Sequence, residues 1–227
     1  MTIDLYAKDL HRALDVAAQP ARKADENLRC VCVETTNKGL TVTGTDRYWI
    51  AQTRAEYFGE TPETGLPKLL LDVADLKPVL AVLKADPNSP VSLTVDGDNV
   101  SARMLYNGAT CLLRSRSDIQ FPDLKRILAG PAEVAGEANG FAIAPSFVKE
   151  LTMMAARHGN KNEALRFAFH ASGVARPIQF AFDNWLRGAI MPVRMEGAPL
   201  EKAAEWADAT ALPEPAQDKA ETEAEAA

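Results

Sequence analysis

Histidine and cysteine are nearly absent from this sequence, with three of each in 227 residues. His11, His158 and His170 are scattered, with no i,i+4 pairing and no Cys-x-x-Cys companion, so the ligand set of a structural or catalytic metal is not assembled and no cofactor is expected. Cys30 and Cys32 lie two apart in an apolar run, where strand periodicity points both to one face and predicts buried free thiols. Also missing are a Gly-rich phosphate loop, a G-x-S-x-G elbow, an H-E-x-x-H helix and a clustered carboxylate pair, which argues against an enzyme. No apolar run approaches the roughly 18 residues of a membrane span. The start, Met1 to Asp9, interleaves charges with apolar residues instead of joining a basic segment to a hydrophobic one; no secretory signal is read, and a cytoplasmic protein is expected.

Positive charge is also in short supply, the formal net charge being −6, but the deficit is local. From Glu196 onward nine acidic residues face two lysines, a net of −7, which leaves residues 1–195 at +1. A near-neutral body can still present one basic face if its charges are segregated, so nucleic acid is not excluded as a partner.

What is present is a pattern written three times: a short strand, an amphipathic helix, then several strands. The first copy starts with Ile3 to Tyr6 and a helix carrying Leu10, Leu14 and Ala17/Ala18 on one face, followed by strands Leu28–Glu34, Leu40–Thr43 and Tyr48–Tyr57. The second opens with Leu69 to Leu71. Its helix carries Leu76, Val79, Leu80 and Leu83, with Pro78 forcing a late start or a bend. Strands Val91–Val95, Val100–Leu105 and Thr110–Ser115 follow, and the unit ends at Phe121-Pro122-Asp123-Leu124. The third begins at Phe141-Ala142-Ile143, buries Phe147, Val148, Leu151, Met154 and Ala155 from its helix, and continues through strands Leu165–His170, Ile178–Phe182 and Leu186–Met195.

The expected division is a domain of two repeats over 1–128 (repeats 1–58 and 68–128), a linker over 129–139, a third repeat over 140–195 and an acidic tail over 196–227. The tail holds one short helix near Leu200 to Trp206 and is disordered after Thr210.

Each helix pairs its apolar stripe with cations: Lys8 and Arg12 with Arg22 and Lys23 just beyond, Lys77 and Lys84, then Lys149, Arg157 and Lys161. Charges normally occupy the solvated side of any amphipathic helix, and Asp9, Asp15, Asp75 and Glu150 dilute these. Repetition in three units favours a DNA-facing surface, one that holds phosphates without reading sequence.

The terminal Met191-Pro192-Val193-Arg194-Met195 reads by itself as an edge strand ended by proline. It resembles the strand that ends bacterial β sliding clamps, the processivity rings of replicative polymerases, where a Met-Pro-x-Arg-aliphatic segment lines the pocket for polymerase peptides. Thr45-Asp46-Arg47-Tyr48-Trp49-Ile50 is similar to the family's Thr-Asp-Gly-His-Arg-Leu segment, the opposing wall. Leu28 falls where the family has a pocket leucine, and Arg114 to Leu124 looks like the segment closing the family's middle domain. Asp46 itself reads as a turn hydrogen bonder.

The resemblance implies an α+β DNA-clamp fold of three βαβββ-type repeats, one full clamp domain plus a half-domain, with helices facing duplex DNA. It also implies a peptide pocket formed by Leu28, Thr45, Arg47, Tyr48, Trp49, Ile50, Ile190, Met191, Pro192, Val193, Arg194 and Met195. The implied partners are double-stranded DNA, a DNA polymerase, other clamp-binding peptides and a clamp loader. Because clamp rings close with a dozen such units, four copies of a three-unit chain are expected in the ring, third units meeting across a two-fold axis; a trimer requires a hidden fourth unit. The other function class is an open adaptor or decoy that binds the same peptides without encircling DNA.

Overall fold

The computed structural model describes residues 1–62, 65–128, 143–159, 164–168 and 176–193. Lys161, Arg194 and Met195, the linker, the opening Phe141 and Ala142 of the third repeat, the helix near Leu200 to Trp206 and the acidic tail lie outside the described residues.

The first repeat comprises β1 (Thr2–Tyr6), α1 (Ala7–Ala21), β2 (Cys30–Thr36), β3 (Gly39–Thr45) and β4 (Trp49–Ala55). The second comprises β5 (Leu69–Asp72), α2 (Leu76–Ala85), β6 (Pro90–Asp96), β7 (Asn99–Met104) and β8 (Thr110–Arg114), followed by a short helix α3 (Lys125–Leu128). The third contains α4 (Pro145–His158), β9 (Leu165–Ala168), β10 (Ile178–Phe182) and β11 (Leu186–Ile190).

Pro78 is accommodated by the late start that its position demands. A 3-10 turn over Val73–Asp75, in which the Asp72 carboxylate accepts the Ala74 N–H, precedes the helix. Pro78 then falls in the first turn of α2, where its missing N–H breaks no helical hydrogen bond.

The first two repeats do not fold separately: each gives its first strand to the other. β1 lies against β6 (Ile3 opposite Leu93), and β5 lies against β2 (Leu71 opposite Val31). The sheets that result have the orders β1-β6-β7-β8 and β5-β2-β3-β4-β11-β10-β9, all antiparallel. Leu10, Leu14, Val33, Val42, Leu76, Val79, Leu83, Val91 and Met104 fill one core between these sheets and their helices.

The third repeat extends the larger sheet through β11, paired with β4 so that Gly188 faces Ala51 and Ile190 faces Trp49. A second core, Val16, Trp49, Leu151, Met154, Phe180, Phe182, Trp185, Leu186 and Ile190, seals α4 onto that extension. Full burial of each such large side chain contributes about 2 kcal/mol. Two glycines are required where the repeats' elements approach most closely. A Cβ on Gly44 would lie 1.9 Å from the Ala17 carbonyl oxygen of α1, and one on Gly188 would lie 1.9 Å from the Ile50 carbonyl oxygen.

Candidate nucleic-acid and peptide interfaces

Helices α1, α2 and α4 surround a cavity of about 510 Å³ lined by Lys8, Asp9, His11, Arg12, Leu83, Lys84, Pro87, Arg157 and His158. Four of the predicted DNA-facing residues, Lys8, Arg12, Lys84 and Arg157, are thereby brought together from three repeats. They are not equally available to a phosphate. Arg12 pairs with Asp9 at 3.0 Å and lies over the Trp185 ring, 4.9 Å from its centroid, so it braces the junction between the first and third repeats. Arg157 is held by Asp15 at 3.1 Å. Lys8 and Lys84 are exposed and form no ion pair among the described residues.

The other predicted cations lie outside this cavity. Arg22 pairs with Asp15, Lys23 pairs with Glu150 across to α4, and Lys77 and Lys149 are exposed. Arg22 and Lys23 thus join α1 to its surroundings more directly than they face a ligand.

Asp15 is the electrostatic centre of the junction. It is buried and accepts hydrogen bonds from Arg22 at 3.0 Å, Arg157 at 3.1 Å and, with His158 as donor, His158 at 3.0 Å. Burial by itself would raise this carboxyl, but the hydrogen bonds from His158, Arg157 and Arg22 outweigh it and hold the group well below the usual carboxylate range. His11, 5.9 Å from His158 between ring centroids, is lowered chiefly by burial, with Asp15 opposing and neighbouring cations assisting.

Both shifts act in one direction with pH. Asp15 stabilises the fold above the carboxyl's unfolded value, about pH 4, and loses that contribution as pH falls towards its depressed folded value. His11 is harder to protonate in the folded chain, so stability declines as pH drops from about 6.5. Melting temperature should therefore decrease between pH 7.5 and 5.5, with a shallower decrease in His11→Gln. Asp15→Asn should cost about 2 kcal/mol at pH 7, because the buried amide cannot match three charge-assisted contacts. A pH-independent melting temperature, or an Asp15→Asn variant as stable as the parent, would contradict this description.

On the opposite side of the larger sheet, the two sequence segments that suggested a pocket meet. The turn between β3 and β4 is built by Asp46, whose Oδ1 accepts the N–H groups of Tyr48 and Trp49 at 2.9 Å each, as its reading as a turn hydrogen bonder requires. Thr45 Oγ1 accepts the Arg47 N–H at 3.1 Å and donates to the Trp49 carbonyl at 3.0 Å. Arg47 has φ 78°, the left-handed region that favours glycine, where the clamp segment has glycine. Its side chain reaches Asp25 at 3.2 Å, beside the 3-10 turn that ends at Leu28. Past β11, the Met191 N–H donates to the Tyr48 carbonyl at 2.8 Å, which sets the two segments side by side.

The exposed apolar groups at this meeting point are Tyr48, Met191 and Val193, at 66%, 37% and 48% exposure, with Pro192 half-buried between the last two. Five of the expected pocket residues, Leu28, Thr45, Trp49, Ile50 and Ile190, are buried, and two of them face away from this surface. Trp49 and Ile190 are opposite partners whose side chains face the helices and lie in the second core, so they support the groove from beneath instead of lining it. Their neighbours Ile50 and Ala189 occupy the outer face.

A third wall was not foreseen. Leu124 and Leu128 pack on Ile50 and Ala189, and Gln179 Nε2 donates to the Ile127 carbonyl at 2.6 Å. The same segment, Arg116 to Leu128, encloses about 610 Å³ over the sheet with Glu34, Thr43, Gln52, Lys68, Leu70 and Arg187. Gln52 donates to Thr43 at 2.9 Å and accepts from Arg187 at 2.7 Å, which ties β3, β4 and β11 together beneath that cleft. The i,i+4 spacing of Leu124 and Leu128 after Pro122 is the sequence signal that could have revealed this wall. Cys30 and Cys32 pack beneath Phe121 as buried free thiols, pushed by burial up to about 11 and about 12.

No protein-family model matches the sequence, and no curated protein matches it significantly. Solved structures do match. The DNA polymerase III β subunit of Thermotoga maritima aligns with TM-score 0.65 at 16% identity, over 86% of this chain and 66% of that one. The sliding clamp of Bacillus subtilis gives 0.64 at 14%, over 86% and 65%, and the β subunit of Pseudomonas aeruginosa gives 0.64 at 12%, over 89% and 68%. The chain has the sliding-clamp fold, and it spans about two thirds of the length of these relatives in structure. Among the described residues, no helix is long and apolar enough to cross a membrane.

Proposed function

We propose that this protein is a shortened sliding clamp, a cytoplasmic, non-enzymatic processivity factor that encircles duplex DNA and tethers a replicative polymerase. The observation that carries this reading is the β4–β11 junction. Across it, the turn at Tyr48 and the segment of Met191, Pro192 and Val193, far apart in sequence, set exposed apolar groups side by side, while helices α1, α2 and α4 line a cationic cavity. In this reading residues 1–128 act as one clamp domain, residues 140–195 as half of another, and the acidic tail keeps free protein off nucleic acid until it is loaded. Copies of the chain form a ring, which a clamp loader opens.

Lys8 and Lys84 are the phosphate contacts. Replacing both with Glu should weaken duplex binding about tenfold at moderate salt and flatten the dependence of log K on log salt by about 1 to 2. Fluorescence anisotropy on duplexes of unrelated sequence reads this directly. An unchanged salt slope would remove the helices from the DNA interface.

A second reading takes the same meeting of the Tyr48 turn with Met191 and Val193 without a ring: the protein is a non-encircling adaptor that competes for clamp-binding peptides. It predicts inhibition, and not stimulation, of long-tract synthesis.

A further inference from the structure

The outer face of the larger sheet holds an arginine whose fixed orientation the groove does not explain. Arg187 on β11 stands opposite Gln52 on β4, and Gln52 stands opposite Thr43 on β3. Gln52 Nε2 donates to Thr43 Oγ1 at 2.9 Å while Gln52 Oε1 accepts Arg187 Nε at 2.7 Å, so three neighbouring strands orient the guanidinium. This leaves its two terminal nitrogens, the fork that receives a carboxylate through paired hydrogen bonds. Arg187 is exposed and, among the described residues, forms no ion pair.

Arg187 lines the cleft of about 610 Å³ together with Lys68, whose ammonium lies 5.8 Å from the centroid of the Phe121 ring and likewise has no ion pair among the described residues. The third cation of the lining, Arg116, is already held by Asp118 at 2.8 Å and Asp72 at 3.5 Å, and Glu34 and Asp123 are the acids. Leu70, Phe121 and Leu128 add apolar surface. A ligand that suits this cleft carries carboxylates and a large apolar group.

The chain itself contains such a segment. The described residues end at Val193, beside the groove on the same side of the sheet. Residues 196–208 follow, where Glu196, Glu201, Glu205 and Asp208 stand against Lys202 alone, and Leu200 and Trp206 are the large apolar groups. Their length allows a return. Arg187 lies six residues before Val193, about 20 Å along a strand, and the eight residues from Val193 to Glu201 span up to about 27 Å, with Gly197 and Pro199 as turn formers. In the short helix expected from Leu200 to Trp206, the i,i+4 spacing sets Glu201 and Glu205 on one side.

We propose that residues 196–208 fold back onto this cleft, with Glu201 on the Arg187 fork, Glu205 towards Lys68 and Trp206 against the apolar wall, as a tethered competitor of peptides that enter the neighbouring groove. Charge complementarity and the point from which the segment leaves the sheet both select it as the occupant. The tether gives it an effective concentration on the order of millimolar, so an incoming peptide has to displace it. The five acids beyond Thr210 are left for the role proposed above for the tail. This inference deepens the clamp reading and rests on it only for the identity of the peptide excluded.

Trp206 reports the contact, because Trp49 and Trp185 are buried. Acrylamide quenching of tryptophan fluorescence is measured on the full-length chain at about 1 and 50 μM, alongside Arg187→Glu, Glu201→Lys and their combination, with Trp206→Phe as the blank. Either single variant should raise the quenching constant of Trp206 about threefold, and the combination should restore the wild-type value, a rescue that damage to the fold would not give. Glu201→Lys, outside both cores, carries the test if Arg187→Glu fails to fold. Equal quenching in wild type and both variants, absence of rescue, or protection that grows with protein concentration overturns the docking. Affinity for a peptide from the polymerase's clamp-binding segment is read on the same samples and should rise about threefold in each single variant; a fall in Arg187→Glu assigns the fork to the partner's peptide and overturns the proposal. A shielded Trp206 in a chain that binds no such peptide sinks the clamp reading and leaves the docking standing, whereas an exposed Trp206 in a wild-type chain that binds it does the reverse.

Discussion

Replacing Gly188 with Ala is expected to lower stability by about 3 kcal/mol and to detach the third repeat from the first. The added methyl would sit 1.9 Å from the Ile50 carbonyl oxygen and 2.3 Å from the Phe180 ring, neither of which can yield without moving a strand or a core side chain. Separation of β4 from β11 is the available relief, and that junction holds both the second core and the groove. For a chain of this size the melting temperature should fall by about 6–12 °C. Trp49 and Trp185, both buried in the second core, should show red-shifted fluorescence, and peptide binding should disappear with them. A Gly188→Ala protein with unchanged tryptophan emission would mean that β11 is not docked as described.

The pair Met191→Ala and Val193→Ala is expected to reduce affinity for the polymerase at least tenfold while leaving the melting temperature within about 2 °C. The two effects separate because the side chains are partly exposed and contribute little to the core, yet they are the apolar groups that an extended peptide would cover beside Tyr48. A small number of apolar anchors in a groove ordinarily carries most of the binding energy. Isothermal titration with a peptide from the polymerase's clamp-binding segment measures the loss. Unchanged affinity would show that the groove lies elsewhere on the outer face, the cleft beneath Arg116 to Leu128 being the alternative.

The helices were legible because their information is local. Of the stripe Leu76, Val79, Leu80 and Leu83, all but the partly buried Leu80 are buried as the spacing requires, Cys30 and Cys32 share a face as alternation requires, and Val148, expected inward, is exposed. The exchange of β1 and β5 between repeats was not legible, since Ile3 and Leu93 are ordinary strand residues that nothing local directs to each other. The candidate groove was half legible. The two segments proposed as its walls do meet, yet reading Tyr48, Trp49 and Ile50 as one contiguous surface overlooked that successive strand residues face opposite sides, which turns Trp49 inward and Ile50 outward. The cation pattern gave candidates without ranking them. Asp15, which the sequence offered only as one of four acids diluting the cations, decides that Arg22 and Arg157 are held in place while Lys8 and Lys84 remain available.

The central claim is that copies of this chain close around DNA, and topology tests it most directly. The protein is assembled on a nicked circular plasmid with the loader of its own replication system, brought to a salt concentration that screens phosphate contacts, and followed by gel filtration before and after a single cut in the circle. Encirclement predicts that protein co-elutes with the circle and is lost on linearisation. Equal release from circular and linear DNA would contradict it.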